Sequence, residues 1–105
     1  MAILRFADKK IQKDFEKLKN RDEKLLRHLK NAINNIKEDP GCGIKISQKL
    51  IPKEWIKKYS IDNLYKYNLP DAWRLLYSLS GERIEVIAII LGVMNHKNYE
   101  RKFKY

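Results

Sequence analysis

The chain has 105 residues, of which 44% are hydrophobic and 34% are charged, and its formal net charge is +10. This length fits one domain, residues 1–105, and the apolar share excludes an intrinsically disordered chain. The single cysteine excludes an internal disulfide and a cysteine-rich zinc site, while the positive charge favours an anionic partner: nucleic acid, an acidic protein or an anionic membrane.

The hydropathy pattern predicts neither a signal peptide nor a membrane span. Residues 1–10 lack a long apolar run, and the longest apolar stretch, residues 84–93, contains a glutamate and a glycine. A membrane-spanning helix needs about 20 apolar residues. We therefore expect a soluble, cytoplasmic protein with no membrane partner.

The first part of the chain predicts a short strand followed by two helices. Residues 3–6 form a brief apolar opening, and Asp8 is a suitable N-cap for the helical apolar pattern that follows it. Asp22 is a second suitable cap, and residues 25–36 again place apolar side chains at steps of three and four. The short link between the two helices predicts an antiparallel hairpin, which ends before Pro40.

The middle of the chain predicts an irregular connection and then two strands. We interpret Gly41 to Asn63 as a long connection with a short helical turn around residues 53–58. Alternating aromatic and polar residues predict a strand over residues 64–69. After a Pro-Asp turn, Trp73 to Leu79 predicts a second strand.

The last part predicts a third strand and a basic tail. A tight turn at residues 80–82 precedes an apolar run, Arg83 to Leu91, which we expect to be a central strand, covered on both faces and ended by Gly92. His96 to Tyr105 predicts a short helix or a final strand. The order of elements indicates an α+β fold, in which a short N-terminal strand and an antiparallel helix hairpin pack on one face of a small, mainly antiparallel β-sheet.

Arg74 is the first candidate for a functional residue, because it is a charged residue inside an apolar strand. Strand alternation places it with Leu76 and Ser78, whereas the larger apolar set lies on the other face and should meet the helices. Arg74 would then point from an open face, where an anion can bind it. The alternative is a surface arginine paired with a cross-strand carboxylate such as Glu85.

A second cluster, His96-Lys97-x-Tyr99, follows the third strand. Histidine, tyrosine and lysine move or hold protons in phosphodiester chemistry, and cations stabilise a negatively charged transition state. The alternative is a surface histidine and a tyrosine that packs the tail onto the sheet. Lysines and aromatic residues also alternate over residues 55–67, which favours either stacking on unpaired bases or an ordinary combination of buried aromatics and solvated lysines.

The order of these motifs resembles the RelE/ParE toxin superfamily of bacterial and archaeal toxin–antitoxin systems. The resemblance rests on the run from Leu64 to Tyr77, on the apolar residues 84–91 and on His96-Lys-Asn-Tyr99. It is most specific at Trp73-Arg-Leu-Leu-Tyr77, and the strand and helix hairpin at the N-terminus match the family's β-α-α-β-β-β layout. The likeness therefore covers most of the chain and implies a RelE-like fold.

The resemblance implies a ribosome-dependent mRNA endonuclease that needs no metal or other cofactor, in which the ribose 2′-hydroxyl attacks the scissile phosphate. It implies that Arg74 holds this phosphate, that His96 is the basic catalytic residue and that Tyr99 is the C-terminal catalytic tyrosine. RelE carries strand lysines where this chain has tyrosines at 65 and 67, and Lys66, one residue out of register, should face the other way. The residues that we expect to bind RNA are Lys66, Arg83, Lys97, Arg101, Lys102 and Lys104.

The implied partners are a cognate antitoxin protein, the ribosome and mRNA. Two alternatives stay open. One is a ParE-like inhibitor of DNA gyrase, which shares the fold but is a binding protein without nuclease activity. The other is a non-catalytic RNA-binding relative, which the missing strand lysines favour.

Overall fold

The computed structural model describes residues 2–81 and 86–103, and within them five strands form one mixed sheet with helices on both of its faces. The elements are β1 Ala2–Phe6, α1 Lys9–Arg21, α2 Glu23–Glu38, β2 Ile44–Lys45, α3 Lys53–Tyr59, β3 Tyr65–Asn68, β4 Arg74–Gly81, β5 Val86–Met94 and α4 His96–Phe103. The strand order is β1-β5-β4-β3-β2. β1 runs parallel to β5, and the other neighbouring strands are antiparallel.

Both predicted helix caps are confirmed. Asp8 Oδ1 accepts a hydrogen bond of 2.8 Å from the backbone N–H of Ile11, at the start of α1. Asp22 Oδ1 accepts bonds of 2.9 and 3.1 Å from the N–H groups of Lys24 and Leu25, at the start of α2. These carboxylates satisfy backbone donors that a helix leaves unpaired at its N-terminus, so the position of each helix is fixed locally.

One face of the sheet packs against α1 and α2. Leu75 and Tyr77 of β4, with Ala88 and Ile90 of β5, are buried against this helix pair. The partly buried Trp73 and Leu79 join them, as strand alternation predicts. The helices contribute Phe15, Leu25, Leu29, Ala32 and Ile36.

The opposite face is covered as well, and the expectation of an open sheet face is therefore wrong. Leu76 and Leu91 lie in a second buried cluster, and α3 and α4 pack on it. Its other buried members come from the connection and the tail: Ile46, Ile51, Trp55, Ile61, Leu64, Tyr99 and Phe103. The long connection and the basic tail thus form the second layer, because their apolar side chains need a surface on which to be buried.

Two boundaries differ from the sequence prediction. Ser80 and Gly81 belong to β4 rather than to a turn, whereas Glu82, Arg83 and the rest of residues 82–85 lie outside the described residues. Gly92 does not end β5, which continues to Met94. At Gly92 the register shifts: Leu76 pairs with Gly92 and Tyr77 with Ile90, so Leu91 is an extra residue in a β-bulge. The tail forms a helix, one of its two predicted states.

The hydroxyl of Tyr77 connects β4 to the start of the connection. It donates a hydrogen bond of 2.8 Å to the carbonyl oxygen of Pro40 and accepts one of 2.9 Å from the N–H of Gly43. Burial raises the pKa of this phenol, which stays neutral. A Cβ at Gly43 would lie 2.6 Å from the Tyr77 oxygen and 2.9 Å from the carbonyl oxygen of Lys66, so this close approach requires glycine.

Replacing Tyr77 by phenylalanine should lower the free energy of unfolding by about 2 kcal/mol, because two backbone groups lose their partner in a part-buried site. Urea unfolding measures the effect. Tyr67→Phe is the matched control, since its hydroxyl accepts an exposed bond of 2.7 Å from Asn35 and should change stability by no more than about 0.5 kcal/mol. Equal losses in the two variants would contradict the anchoring role of Tyr77.

Candidate functional site

Two cations, Lys66 and Arg74, meet one buried aromatic ring, Tyr99, and we call these three residues the cation–tyrosine site. The guanidinium carbon of Arg74 lies 4.9 Å from the centroid of the Tyr99 ring. The ammonium of Lys66 lies 5.4 Å from the same centroid. Cations are attracted to the face of an aromatic ring, so one ring positions both side chains.

The register of the sheet explains why these residues meet. Arg74 pairs with Asn68 on β3 and with Met94 on β5, and Lys66 lies two residues from Asn68. Residues two apart on a strand share a face, so Lys66 and Arg74 project on the same side. Tyr99 reaches that side from α4, which begins two residues after Met94.

This arrangement revises the interpretation of the strand lysine. Lys66 faces away from Tyr65 and Tyr67, as expected, but those tyrosines are the side chains that pack against the first core. Lys66 therefore lies, together with Asn68, on the side of β3 that Arg74 shares. The missing lysines at positions 65 and 67 do not leave the site without a β3 lysine.

The guanidinium of Arg74 is oriented by backbone rather than by a carboxylate. Its Nη1 donates a hydrogen bond of 2.7 Å to the carbonyl oxygen of Ala72. Within the described part of the chain Arg74 forms no ion pair, and its Nε is buried without a hydrogen-bond partner. The position opposite it on β5 is Met94, and Glu85 lies outside the described residues. Among the described residues, Arg74 thus keeps donors without a partner and has no carboxylate that balances its charge.

The turn before Arg74 has an unusual backbone. Asp71 and Ala72 have φ angles of 61° and 63°, in the left-handed region that non-glycine residues rarely adopt. A hydrogen bond of 2.8 Å from the N–H of Leu69 to the carbonyl oxygen of Trp73 closes the turn. Such strain persists only where the surroundings hold it. Here the strained residue Ala72 supplies the carbonyl that accepts the guanidinium bond.

Tyr99 supports the two cations from the second core. Its side chain is 2% exposed, and its ring centroid lies 4.6 Å from that of Phe103. A buried ring is held in one orientation by its neighbours. The packing of the second core therefore fixes the position of the Tyr99 ring on which Lys66 and Arg74 lie.

His96 lies at the first position of α4 and is exposed. Its Nε2 is 2.6 Å from Oε1 of Glu100, one helical turn later. The contacts that bring Lys66 and Arg74 to Tyr99 do not include His96. Its catalytic role stays a prediction, and the carboxylate of Glu100 orients its ring.

The residues predicted to bind RNA have different surroundings. Lys97 and Arg101 are exposed on α4. The ammonium of Lys102 pairs with Glu54 and lies 5.1 Å from the centroid of the Trp55 ring, so the protein already engages it. Arg83 and Lys104 lie outside the described residues.

The alternating aromatics of residues 55–67 have structural roles. Trp55 is 7% exposed within the second core, and Tyr65 stacks on Tyr77 with ring centroids 5.4 Å apart. The hydroxyl of Tyr59 donates a hydrogen bond of 2.7 Å to Asp8 Oδ2. These contacts support the alternative that burial explains the aromatics.

The link between Asp8 and α3 was not predicted from the sequence. Asp8 caps α1, accepts the bond from Tyr59 and lies 3.5 Å from the ammonium of Lys58. The hydrogen bond from the backbone of Ile11 is the largest cause that lowers the pKa of this carboxyl, followed by the bond from Tyr59. The sequence signal for a cap was present, but its partners on α3 are about 50 residues away along the chain.

Asp8 should make stability depend on pH in acid. Because its pKa is lowered in the folded state, it stabilises the fold above its unfolded pKa of about 3.9 and loses this contribution as pH falls through the folded value. The difference in thermal unfolding midpoint between the wild type and Asp8→Asn should be largest near pH 6 and shrink towards pH 2. A difference that grows on acidification would contradict this assignment.

No family model, curated protein or solved structure matches this chain. Within residues 2–81 and 86–103, no helix combines the length and the apolar character needed to cross a bilayer. The case for a function therefore rests on the geometry of the cation–tyrosine site and on the resemblance in the motifs.

Proposed function

We propose that the protein is a RelE-like toxin of a toxin–antitoxin system and acts as a ribosome-dependent mRNA endonuclease. The observation that carries the proposal is the convergence of Lys66 and Arg74 on the Tyr99 ring, without a carboxylate partner for Arg74 among the described residues. Two positioned cations that form no ion pair among the described residues suit a phosphodiester, whose negative charge increases during attack on phosphorus. The β-α-α order at the N-terminus and the sequential strands β3, β4 and β5 agree with the layout that the resemblance implies.

The proposed reaction is an internal transfer at phosphorus. The ribose 2′-oxygen forms a bond to the adjacent phosphorus while the bond from phosphorus to the 5′-oxygen breaks, which gives a cyclic phosphate and a 5′-hydroxyl. The 2′-hydroxyl loses a proton to a base, and the leaving 5′-oxygen gains one. The attacking group is part of the substrate, so the protein supplies position, charge and proton transfer.

The residues take separate roles in this proposal. Arg74 donates to the non-bridging phosphate oxygens in the planar geometry that suits phosphate. Lys66 adds a second positive charge from the neighbouring strand, and Tyr99 positions both cations. His96 is the proposed proton-transfer group, since an imidazole can both accept and donate a proton.

A cell-free translation extract tests this proposal. A defined mRNA is translated with and without the purified protein, and primer extension locates any break. We expect breaks only in mRNA engaged by ribosomes, and none in the same RNA incubated with the protein alone. Intact mRNA combined with blocked DNA supercoiling by gyrase would support the ParE-like alternative, and intact mRNA with unaffected supercoiling would support the non-catalytic one.

We also propose that an antitoxin inhibits the protein. An acidic segment of the antitoxin would cover basic residues of this chain, whose formal net charge is +10. Coexpression with the product of the neighbouring gene should yield a stable complex and restore growth. The reason is charge complementarity, which also predicts a complex weakened by salt. Failure to bind or to restore growth would contradict the toxin–antitoxin assignment.

A further inference from the structure

Helices α3 and α4 form one unit on the second face of the sheet. The rings of Trp55 and Phe103 meet edge to face, with centroids 6.1 Å apart. Lys102 of α4 pairs with Glu54 of α3 and lies over the Trp55 ring. Because both an aromatic contact and an ion pair join the two helices, charged residues on their outer sides keep a fixed relative position.

Each acidic residue of this unit already has a side-chain partner within the unit. Glu54 and Glu100 are the only acidic residues within α3 and α4. Glu54 pairs with Lys102, and Glu100 pairs with His96. Neither carboxylate therefore pairs with the remaining cations of the two helices.

Lys58 of α3 pairs with Asp8, so four other cations are left, and they have the same spacing on both helices. Lys53 and Lys57 lie two residues before and after the buried Trp55, and all four cations are exposed. A step of two residues turns a helix by about 200°, so both lysines project from the side opposite the buried ring. On α4, Lys97 and Arg101 flank the buried Tyr99 in the same way. None of the four forms an ion pair among the described residues.

We infer that these four residues, Lys53, Lys57, Lys97 and Arg101, form a surface that binds the phosphate backbone of RNA, and we call it the α3–α4 basic surface. The inference rests on the proposed function in taking RNA as the polymer. Both cation pairs lie on helices that pack on the same sheet face, and α4 carries both Tyr99 of the cation–tyrosine site and the pair Lys97 and Arg101. A bound strand would thus extend from the scissile phosphate onto α3 and α4.

The composition of the surface favours a backbone over other anionic partners. The aromatic residues of α3 and α4 that would stack on bases are buried or engaged: Trp55, Tyr59, Tyr99 and Phe103. Ile56, 39% exposed, is the only large exposed hydrophobic residue on the described parts of these helices. Membrane-binding helices and protein interfaces need a larger apolar area. Contacts to phosphate need only the cations, and they carry no sequence information.

Salt dependence tests the inference. The affinity for a single-stranded RNA with 2′-O-methyl riboses, which lacks the attacking hydroxyl, is measured from low to high salt. In the quadruple variant K53Q/K57Q/K97Q/R101Q, the slope of log affinity against log salt should become shallower by about 3, because each backbone contact in a single strand contributes about 0.7.

A matched control removes the same number of charges from the other side of the sheet. The variant K9Q/K13Q/K17Q/R27Q changes four exposed residues of α1 and α2 and should keep the wild-type slope. Equal slope changes in the two variants would overturn the inference in favour of diffuse attraction. An unchanged slope in K53Q/K57Q/K97Q/R101Q would also overturn the inference. This holds even if that variant no longer binds anionic vesicles or an acidic peptide, because the surface would then serve another partner.

Further measurements distinguish a loss of RNA binding from unfolding of the variant, and this inference from the proposed function. Thermal unfolding shows whether the quadruple variant is folded. If it is not folded, the double variant K53Q/K57Q is measured instead. Its slope of log affinity against log salt should become shallower by about 1.4, and an unchanged slope would contradict the inference. A wild-type protein that shows the expected slopes but never cleaves mRNA in the extract would overturn the proposed function alone. If the wild type cleaves mRNA in the extract but the four substitutions leave the salt slope unchanged, this inference alone is overturned.

Discussion

Arg74→Ala should lower the rate of mRNA cleavage by about 10²–10³-fold, the usual effect of removing one donor that stabilises transition-state charge. The guanidinium is held against Tyr99 and by the carbonyl of Ala72, so it needs no reorganisation when the phosphate gains charge. Single-turnover cleavage on saturating ribosomes measures this effect. Arg74→Lys should recover little, because an ammonium cannot make the planar two-pronged contact.

The fold should tolerate the Arg74 substitutions. Arg74 is the first residue of β4, and its Nε forms no hydrogen bond within the described chain. Truncation therefore removes the bond to the Ala72 carbonyl and one cation from the face of the Tyr99 ring. We expect the unfolding midpoint to stay close to that of Arg27→Ala, an exposed arginine on α2 that serves as control. Wild-type cleavage by Arg74→Ala, or a loss explained by unfolding, would show that Arg74 is structural.

Lys66→Gln should lower the cleavage rate by about 10²-fold, since it removes the second cation from the site. The proposal assigns Lys66 a fixed positive charge rather than proton transfer. Lys66→Arg should therefore keep most of the activity, because a guanidinium supplies the charge but does not release its proton.

Lys45 provides the matched control for Lys66. It is an exposed lysine on the neighbouring strand β2, where it pairs with Tyr65. Lys45→Gln removes the same charge and should leave the cleavage rate within about 2-fold, since exposed charges interact weakly through water. Activity that is lost equally in Lys66→Gln and Lys66→Arg would contradict the electrostatic role and indicate proton transfer.

Local patterns predicted much of the fold. The caps Asp8 and Asp22 were evident from the sequence because a cap requires only a carboxylate and the next three residues. The side of β4 that carries Arg74 followed from alternation, which depends on neighbouring residues alone. The helical turn predicted around residues 53–58 corresponds to α3, which spans Lys53–Tyr59.

The second layer of the fold was not predictable in the same way. Trp55 and Phe103 are far apart in the sequence, yet they pack edge to face over the sheet. Such contacts depend on which apolar surfaces remain uncovered once the sheet has formed. An open sheet face cannot be predicted from strand alternation alone when a long connection carries apolar residues, such as Ile46 and Ile51, that can cover it.

The cation–tyrosine site was also predictable only in part, because its residues come from distant parts of the sequence. Arg74 was identified from its charge inside an apolar strand. Lys66 was expected only to bind RNA, because it is out of register with the strand lysines of the family. Their meeting at Tyr99 depends on strand pairing and on the direction of α4, which no local pattern specifies. The strained backbone at Ala72 was also missed, because alanine gives no sequence signal for a positive φ.

The chemical groups at the RNA ends show whether the 2′-hydroxyl is the attacking group. mRNA cleaved on ribosomes is recovered, and the groups on both sides of the break are identified. Attack by the 2′-hydroxyl leaves a 2′,3′-cyclic phosphate on the upstream fragment and a 5′-hydroxyl on the downstream one, and we expect no cleavage when the upstream ribose at that site lacks its 2′-hydroxyl. A 5′-phosphate end, or cleavage of the RNA with the deoxyribose, would contradict it.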